Sequence, residues 1–171
     1  MNVLVVSDSH GLTKELKEVV DLHKNQLDVM IHCGDSELPS DDPMLRPFYN
    51  VQGNMDLGHH DFPNETLIEE QDYRLFVTHG HLYNVKMSYM NLAYKAEEKG
   101  ADLVFFGHSH TAESFEENGM VFVNPGSLRL PRGRKERSYA ICECKDRHKI
   151  RVRFFEFDGE ELTDLSTEYQ L

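Results

Sequence analysis

The chain has 171 residues, enough for one domain with a sizeable core, and its 39% hydrophobic and 28% charged content is that of a globular protein. Its 18 basic and 30 acidic residues leave a net charge of −12, which disfavours non-specific binding to nucleic acid or to an anionic membrane. No apolar run approaches the ~20 residues that cross a bilayer, no basic leader precedes the first strand pattern, and the three cysteines make an odd count, so the expectation is a cytoplasmic protein with no disulfide framework.

Val3–Val6 reads as the first strand. Thr13 to about Asn25 reads as an amphipathic helix, with Leu12, Leu16, Val19, Val20 and Leu27 near helical spacing. Leu27–Cys33 follows as a strand, and Ser36–Pro47, with three prolines and many acids, as a loop holding at most a short helical turn. Phe48–Gln52 is a third strand, and Gly58–Asn64 a loop rich in His and Asp. Thr66–Glu70 and Tyr73–Thr78 are strands joined by a tight turn at Gln71-Asp72. Asn84–Lys99 reads as a second helix stopped by Gly100, and Ala101–Phe106 as a strand. Thr111–Phe115 and Met120–Val123 flank Glu117-Asn118-Gly119, and Asn-Gly between strands signals a type I′ hairpin. Ser138–Cys144 and Ile150–Phe157 form a second hairpin around Lys145–Lys149, and the acidic stretch Gly159–Leu171 has little pattern. Cys33, Cys142 and Cys144 read as small core residues. Strand–helix alternation followed by hairpins is an α/β arrangement with antiparallel additions, a single domain over residues 1–171.

Five of these strands end in polar clusters: Asp8-Ser9-His10, Gly34-Asp35, Gly53-Asn54-Met55-Asp56, Thr78-His79-Gly80-His81 and Gly107-His108-Ser109-His110. In α/β sheets ligands bind beyond the carboxyl ends of the strands, so the five tips read as one site. Asp8/His10 and His108/His110 lie two apart, and in extended backbone each pair projects to one side. The adjoining glycines permit the sharp turns that lead from strand to site. Asp8, Asp35, Asn54, His10, His79, His108 and His110 are too many ligands for one tetrahedral ion and suit two divalent ions sharing a carboxylate. Two such ions, two carboxylates and a hydroxide leave about one positive charge to hold an anionic phosphoester. A pair of metals ~3.5–4 Å apart activates water for in-line attack at phosphorus.

The ordered set Asp8-x-His10, Gly34-Asp35, Gly53-Asn54-x-Asp56, His79 and Gly107-His108-x-His110 resembles the calcineurin-like metallophosphoesterases, and Asn124-Pro125-Gly126-Ser127-Leu128-Arg129-x-Pro131-Arg132 resembles the closing segment of their small YfcE-type phosphodiesterase branch. The resemblance implies a two-sheet β-sandwich flanked by helices, in αββα layers. It implies a phosphoesterase, more a diesterase than a monoesterase, acting by attack of a hydroxide that bridges two divalent metals. By it, Asp8, His10 and His110 hold the first metal, Asp35 bridges, and Asn54, His79 and His108 hold the second. Manganese comes first among the metals, with iron, nickel, cobalt and zinc also suited to mixed nitrogen and oxygen ligands. The alternative is a non-catalytic protein-interaction scaffold of the same fold, like a eukaryotic retromer subunit.

Many members of the family carry His after the Asn, where it serves as acid or binds phosphate; here Met55 can do neither. His81 is then the first candidate for the catalytic acid, with His59 and His60 behind it. Asp56 reads either as a turn cap or as a residue that orients a site histidine. Arg129 and Arg132, in a run with Arg134, Lys135 and Arg137, read as a solvated loop or as binders of the substrate phosphate. His23 and His148 read as surface or satisfied residues and His32 as a hydrogen-bonded structural histidine. Tyr83, Met87, Tyr89, Met90 and Tyr94 read as the packed face of the second helix, with a homo-oligomer surface as the alternative. The expected partner is a small phosphoester, with no membrane.

Overall fold

In chain order the elements are β1 (Asn2–Val6), α1 (Lys14–His23), β2 (Val29–His32), β3 (Tyr49–Asn50), β4 (Glu65–Glu70), β5 (Tyr73–Thr78), α2 (Met90–Lys99), β6 (Leu103–Phe105), β7 (Ala112–Glu117), β8 (Met120–Pro125), β9 (Ser138–Asp146), β10 (Lys149–Glu156) and β11 (Thr167–Gln170), with a short 3₁₀ turn at His81–Tyr83. They are taken from a computed structural model that describes residues 1–58, 61–146 and 149–171.

Strand β1 shows why the chain layers as it does. Val3 and Val5 join one apolar cluster with Ile31, Leu75, Val77, Leu103 and Phe105, whereas Leu4 and Val6 join another with Leu16 and Val19 of α1. A strand buried on both faces reads as an unbroken apolar run and needs cover on both sides. One sheet runs β11-β10-β9-β1-β2-β3, with β1, β2 and β3 parallel and β9, β10 and β11 antiparallel. The other runs β4-β5-β6-β8-β7, with β5, β6 and β8 parallel and antiparallel edges at β4 and β7. Their facing sides share the first cluster. On the outer face of the second sheet, Leu92, Ala93 and Ala96 of α2 pack on Phe76, Val104, Phe106 and Phe122. The αββα sandwich expected from the sequence is thus observed.

The Asn-Gly hairpin forms as expected, with Asn118 at φ 54° and Gly119 at φ 76°. Cys33, Cys142 and Cys144 are free and buried between the sheets. His23 is satisfied by the Tyr139 hydroxyl at 2.7 Å; His148 lies outside the described residues.

Three expectations are corrected. The second helix begins at Met90 and not at Asn84. Asn84, at φ 54°, closes the 3₁₀ turn, and Val85 is buried against Gly80 with its N–H 3.4 Å from the Gly80 carbonyl. Met87 precedes the helix, and Met90 and Tyr94 are on it but not on the face that buries Leu92, Ala93 and Ala96, so these three are not a packed face: they are 80%, 59% and 64% exposed, while Tyr83 and Tyr89 lie partly against the α2 cluster. Third, the weakly patterned C-terminal stretch contains β11, and Leu162, Leu165 and Tyr169 close the edge of the core.

Candidate metal centre

The strand tips do not continue as extended chain. Asp8, His10, Asp35, His108 and His110, five of the seven ligand candidates, have φ of 53°, 43°, 55°, 66° and 59°. Left-handed backbone costs a non-glycine residue ~1–2 kcal/mol and concentrates at functional sites. Here cross-tip hydrogen bonds hold it: the N–H groups of Asp8 and His10 donate to the carbonyls of Gly34 and Asp35, both at 3.0 Å, and that of Gly107 donates to His79 at 3.0 Å. The alternation argument for Asp8/His10 and His108/His110 therefore does not apply. His110 turns to Asp8, and His108 sits by His79, ring centroids 5.1 Å apart. Two glycines serve close approach more than turning. A Cβ on Gly53 would lie 2.0 Å from Asp35 Oδ1, and one on Gly107 2.0 Å from Ser7 Oγ.

The side chains converge in two overlapping sets, Asp8/His10/His110 and Asp8/Asp35/His79. Asp8 Oδ1 lies 3.0 Å from His110 Nε2, 3.9 Å from His10 Nε2 and 4.0 Å from His79 Nε2. Asp35 Oδ2 and Asn54 Oδ1 lie 3.3 and 3.2 Å from His79 Nε2. Asp8 is the carboxylate common to both sets, whereas the sequence expectation gives the bridge to Asp35.

Three of the four ligand rings are aimed by the other nitrogen. Nδ1–H of His10 donates to Glu37 Oε1 at 2.6 Å, that of His79 to the Cys33 carbonyl at 2.7 Å, and that of His110 to the Leu130 carbonyl at 2.7 Å. This fixes the tautomer and leaves each Nε2 lone pair facing inward, as metal ligation requires. Of these inward atoms His10 Nε2 is buried with no hydrogen-bond partner among the described residues, and Asp8 Oδ1 has within hydrogen-bond distance only His110 Nε2, at 3.0 Å, which can donate to it only when that ring is protonated. Orphaned buried polar atoms are costly, and a divalent cation satisfies a carboxylate oxygen and an imidazole nitrogen together. The donor set fits such ions.

Burial works to raise the Asp8 and Asp35 carboxyls, but the neighbouring histidines, His110 and His79 foremost, outweigh it and hold both below the usual range. Burial works to lower His79, yet Asp35 and Asp8 raise it; Asp8 raises His110. Burial, with the charges of His79 and Lys86, lowers His108 to about 4.

Behind the site, His32 is fully buried and neutral, lowered to about 4 chiefly by that burial. Its Nδ1 accepts from the Gly34 N–H at 3.2 Å, so its Nε2–H donates to Ser9 Oγ at 2.9 Å. The expected structural histidine holds the residue between Asp8 and His10. Asp56 is neither a simple turn cap nor bonded to a histidine among the described residues. Its buried carboxylate accepts the N–H groups of Asp35, Glu37 and Gly53 at 2.9, 2.8 and 2.8 Å.

The ligands open onto a cleft of about 460 Å³, lined by His10, Asp35, Asn54, His108 and His110 and, beyond them, by Glu37, Met55, Lys86, Arg129 and Leu130. Arg129 is fixed there by a bond from Nη1 to the His10 carbonyl. Arg132 is exposed and does not line the cleft; its N–H donates to the His110 carbonyl at 2.9 Å, and its charge acts on His110. His81 adjoins the second set, ring centroids 5.4 Å from His79 and 6.0 Å from His108, without lining the cleft. His59 and His60 lie outside the described residues. Sequence reasoning missed Glu37 and Lys86. An acid two positions after Asp35 was a visible signal for the first; Lys86 had none, since its segment reads as helix.

Residues 1–147 match the family model of the calcineurin-like phosphoesterase superfamily domain. The probable metallophosphoesterase YsnB of Bacillus subtilis is 46% identical over 171 residues, the whole of both chains. Phosphodiesterase YfcE of Escherichia coli is 35% identical over 80 residues, 46% of this chain and 38% of that protein. Among solved structures, a conserved uncharacterized protein of Streptococcus pneumoniae TIGR4 superposes with a TM-score of 0.94 at 34% identity, covering 99% of this chain and 97% of that one. Vacuolar Protein Sorting 29 of Cryptosporidium parvum shares the fold, with a TM-score of 0.79 at 17% identity over 99% and 98% of the two chains. With the site geometry and a family match over most of its length, the chain belongs to the calcineurin-like phosphoesterase superfamily.

Proposed function

We propose that this chain hydrolyses small phosphoesters, diesters in preference to monoesters, using two divalent ions of which manganese suits the donors first. The observation that carries the reading is the convergence of two carboxylate–histidine sets, Asp8/His10/His110 and Asp8/Asp35/His79, with His10 Nε2 buried and unpartnered. Asp8, His10 and His110 would hold one ion and Asn54, His79 and His108 the other. Asp35 would be the shared carboxylate, as the family resemblance implies, with Asp8, which lies in both sets, beside it. When bound, such ions supply a water acidic enough to act as nucleophile near neutral pH and neutralise charge on the phosphoryl oxygens.

The protein's own groups do the rest. Arg129, pinned to the His10 carbonyl, offers its remaining donors to a non-bridging phosphoryl oxygen. Arg132 adds positive potential at the mouth. Asp56 holds the loops that carry Asp35 and Asn54 and acts on the reaction only through them. His81, beside His108 but off the cleft lining, is the proposed source of the leaving-group proton, a role that requires it to reach the cleft past His108 and works against the burial and the His79 charge that lower its pKa. A general acid contributes roughly 10²–10⁴-fold, most for poor leaving groups.

The test is hydrolysis of bis-p-nitrophenyl phosphate with added Mn²⁺, with and without chelator, beside an Asp35→Asn control. Activity lost under both treatments is the expected result; activity surviving both overturns the two-metal reading. The second reading, a protein-interaction scaffold, is favoured by one observation, Met55 where many relatives carry a histidine. No hydrolysis with any divalent metal would establish it over the enzyme.

A further inference from the structure

The cleft walls beyond the ligands divide in a way that bears on what the substrate carries. Met55, 47% exposed, follows Asn54, and Lys86 follows Val85, which packs on the Gly80 next to His79; Leu130, 55% exposed, and Arg129 are bonded to His110 and His10, so the lining has two flanks. Each flank therefore offers one uncovered apolar side chain and one cation. A monoester has one organic arm and would leave one flank bare. A diester centred between the flanks sends an arm over each.

The Met55–Lys86 flank is built. Met55 is anchored by its N–H, which donates to Asp35 Oδ1 at 2.7 Å, so its thioether leaves the site wall from a fixed point. Lys86 follows Val85, which is locked against Gly80, and the next turn is closed by the Met87 N–H on the Asn84 carbonyl at 2.9 Å. The same departure from helix that exposes Met87 thus sets Lys86 at the cleft. No ion pair of Lys86 occurs among the described residues.

A thioether makes favourable contact with aromatic rings, and a lysine ammonium is a point-charge ligand for phosphate. An aromatic group with a phosphate beyond it is the chemistry of a nucleotide. The acidic surface of the chain, at −12, opposes a long polyanion.

We propose that Met55 and Lys86 form a subsite for a nucleotide arm, so that the substrate class is a short dinucleotide-type phosphodiester bearing a terminal phosphate. This rests on the phosphodiesterase reading above. Met55 faces the base and Lys86 the phosphate that is not cleaved.

The experiment compares ApA with its 5′-phosphorylated form pApA, beside bis-p-nitrophenyl phosphate, in the Mn²⁺-loaded wild type, Lys86→Met, Lys86→Arg and Met55→Ala. A hydrogen bond to a charged group contributes about 1.5–3 kcal/mol, which is roughly 10–100-fold. Lys86→Met is expected to lower the kcat/KM ratio of pApA to ApA by at least about 10-fold, mainly through KM, and Lys86→Arg to restore most of it. Met55→Ala is expected to raise KM for both dinucleotides. If the wild type hydrolyses bis-p-nitrophenyl phosphate while the pApA to ApA ratio is the same in wild type and Lys86→Met, the subsite is overturned and the phosphodiesterase stands. If neither dinucleotide nor bis-p-nitrophenyl phosphate is hydrolysed with any metal, both fall.

Discussion

Asp56 offers the sharpest test of how the site is held. Its carboxylate, 1% exposed, accepts three backbone N–H groups from two loops. Asp56→Ala would leave the Asp35 and Gly53 donors buried and unpaired, at ~1–3 kcal/mol each, while the donor of the exposed Glu37 is reached more easily by water. The total is about 3–5 kcal/mol. For a chain of this length each kcal/mol moves the melting temperature by about 2–4 °C, so the metal-free variant should melt roughly 6–20 °C lower. Asp56→Asn keeps one acceptor oxygen but turns an NH₂ toward donors, and should fall between. The assay is thermal unfolding followed by circular dichroism in chelator, with Mn²⁺ affinity measured alongside by calorimetry; both should drop together because Asp35 is among the residues released. A melting temperature within about 2 °C of wild type for Asp56→Ala would refute the reasoning. Loss of kcat with stability and metal affinity intact would instead make Asp56 a chemical participant.

Three further outcomes follow from single contacts. Glu37→Gln, which removes the carboxylate behind His10, should weaken Mn²⁺ binding roughly 10–100-fold by calorimetry; unchanged affinity would deny Glu37 that role. Met55→His should raise turnover of esters with poor leaving groups, and an unchanged or lower rate counts against a missing acid at that position. His32 is lowered to about 4 in the fold against about 6.5 when unfolded, so it disfavours folding wherever only the unfolded chain is protonated. Its contribution is fully present above about pH 6.5 and is lost as pH falls toward 4, at most about 3 kcal/mol. In metal-free protein His32→Gln should flatten that segment of the stability–pH curve, and an equally steep curve would contradict the assignment.

The sequence exposes most of the fold because the central strands are buried twice. β1 and β6 lie between two apolar layers, so they read as continuous runs, and Asn118-Gly119 declares its own turn. The second helix misleads because Tyr83, Met87 and Tyr94 keep helical spacing in a segment that is not all helix. Its start is set by the seat of Val85 on Gly80, a contact between turns that no local pattern encodes. β11 escapes notice because only four residues pair and Tyr169 alone among them reaches the core.

The site was legible as a set of residue types in order, but not as geometry. Asp56 could be read only as cap or orienter, because its true partners lie 3, 19 and 21 positions away. More instructive is the failure of extended alternation at the tips. Had His108 and His110 stood on straight strand, both would face one side and serve one ion. The left-handed backbone at both positions turns His110 to Asp8 and leaves His108 beside His79. Asp8, left-handed as well, brings one oxygen within 4.0 Å of His10, His79 and His110 while the other is occupied by Ser7 Oγ at 2.5 Å and the His108 N–H at 3.2 Å. Strain at the tips, held by the carbonyls of Gly34 and Asp35 and by the carboxylates of Asp56 and Asp8, is therefore what turns the two histidines of one short motif toward different neighbours where a regular strand end would send both to one side.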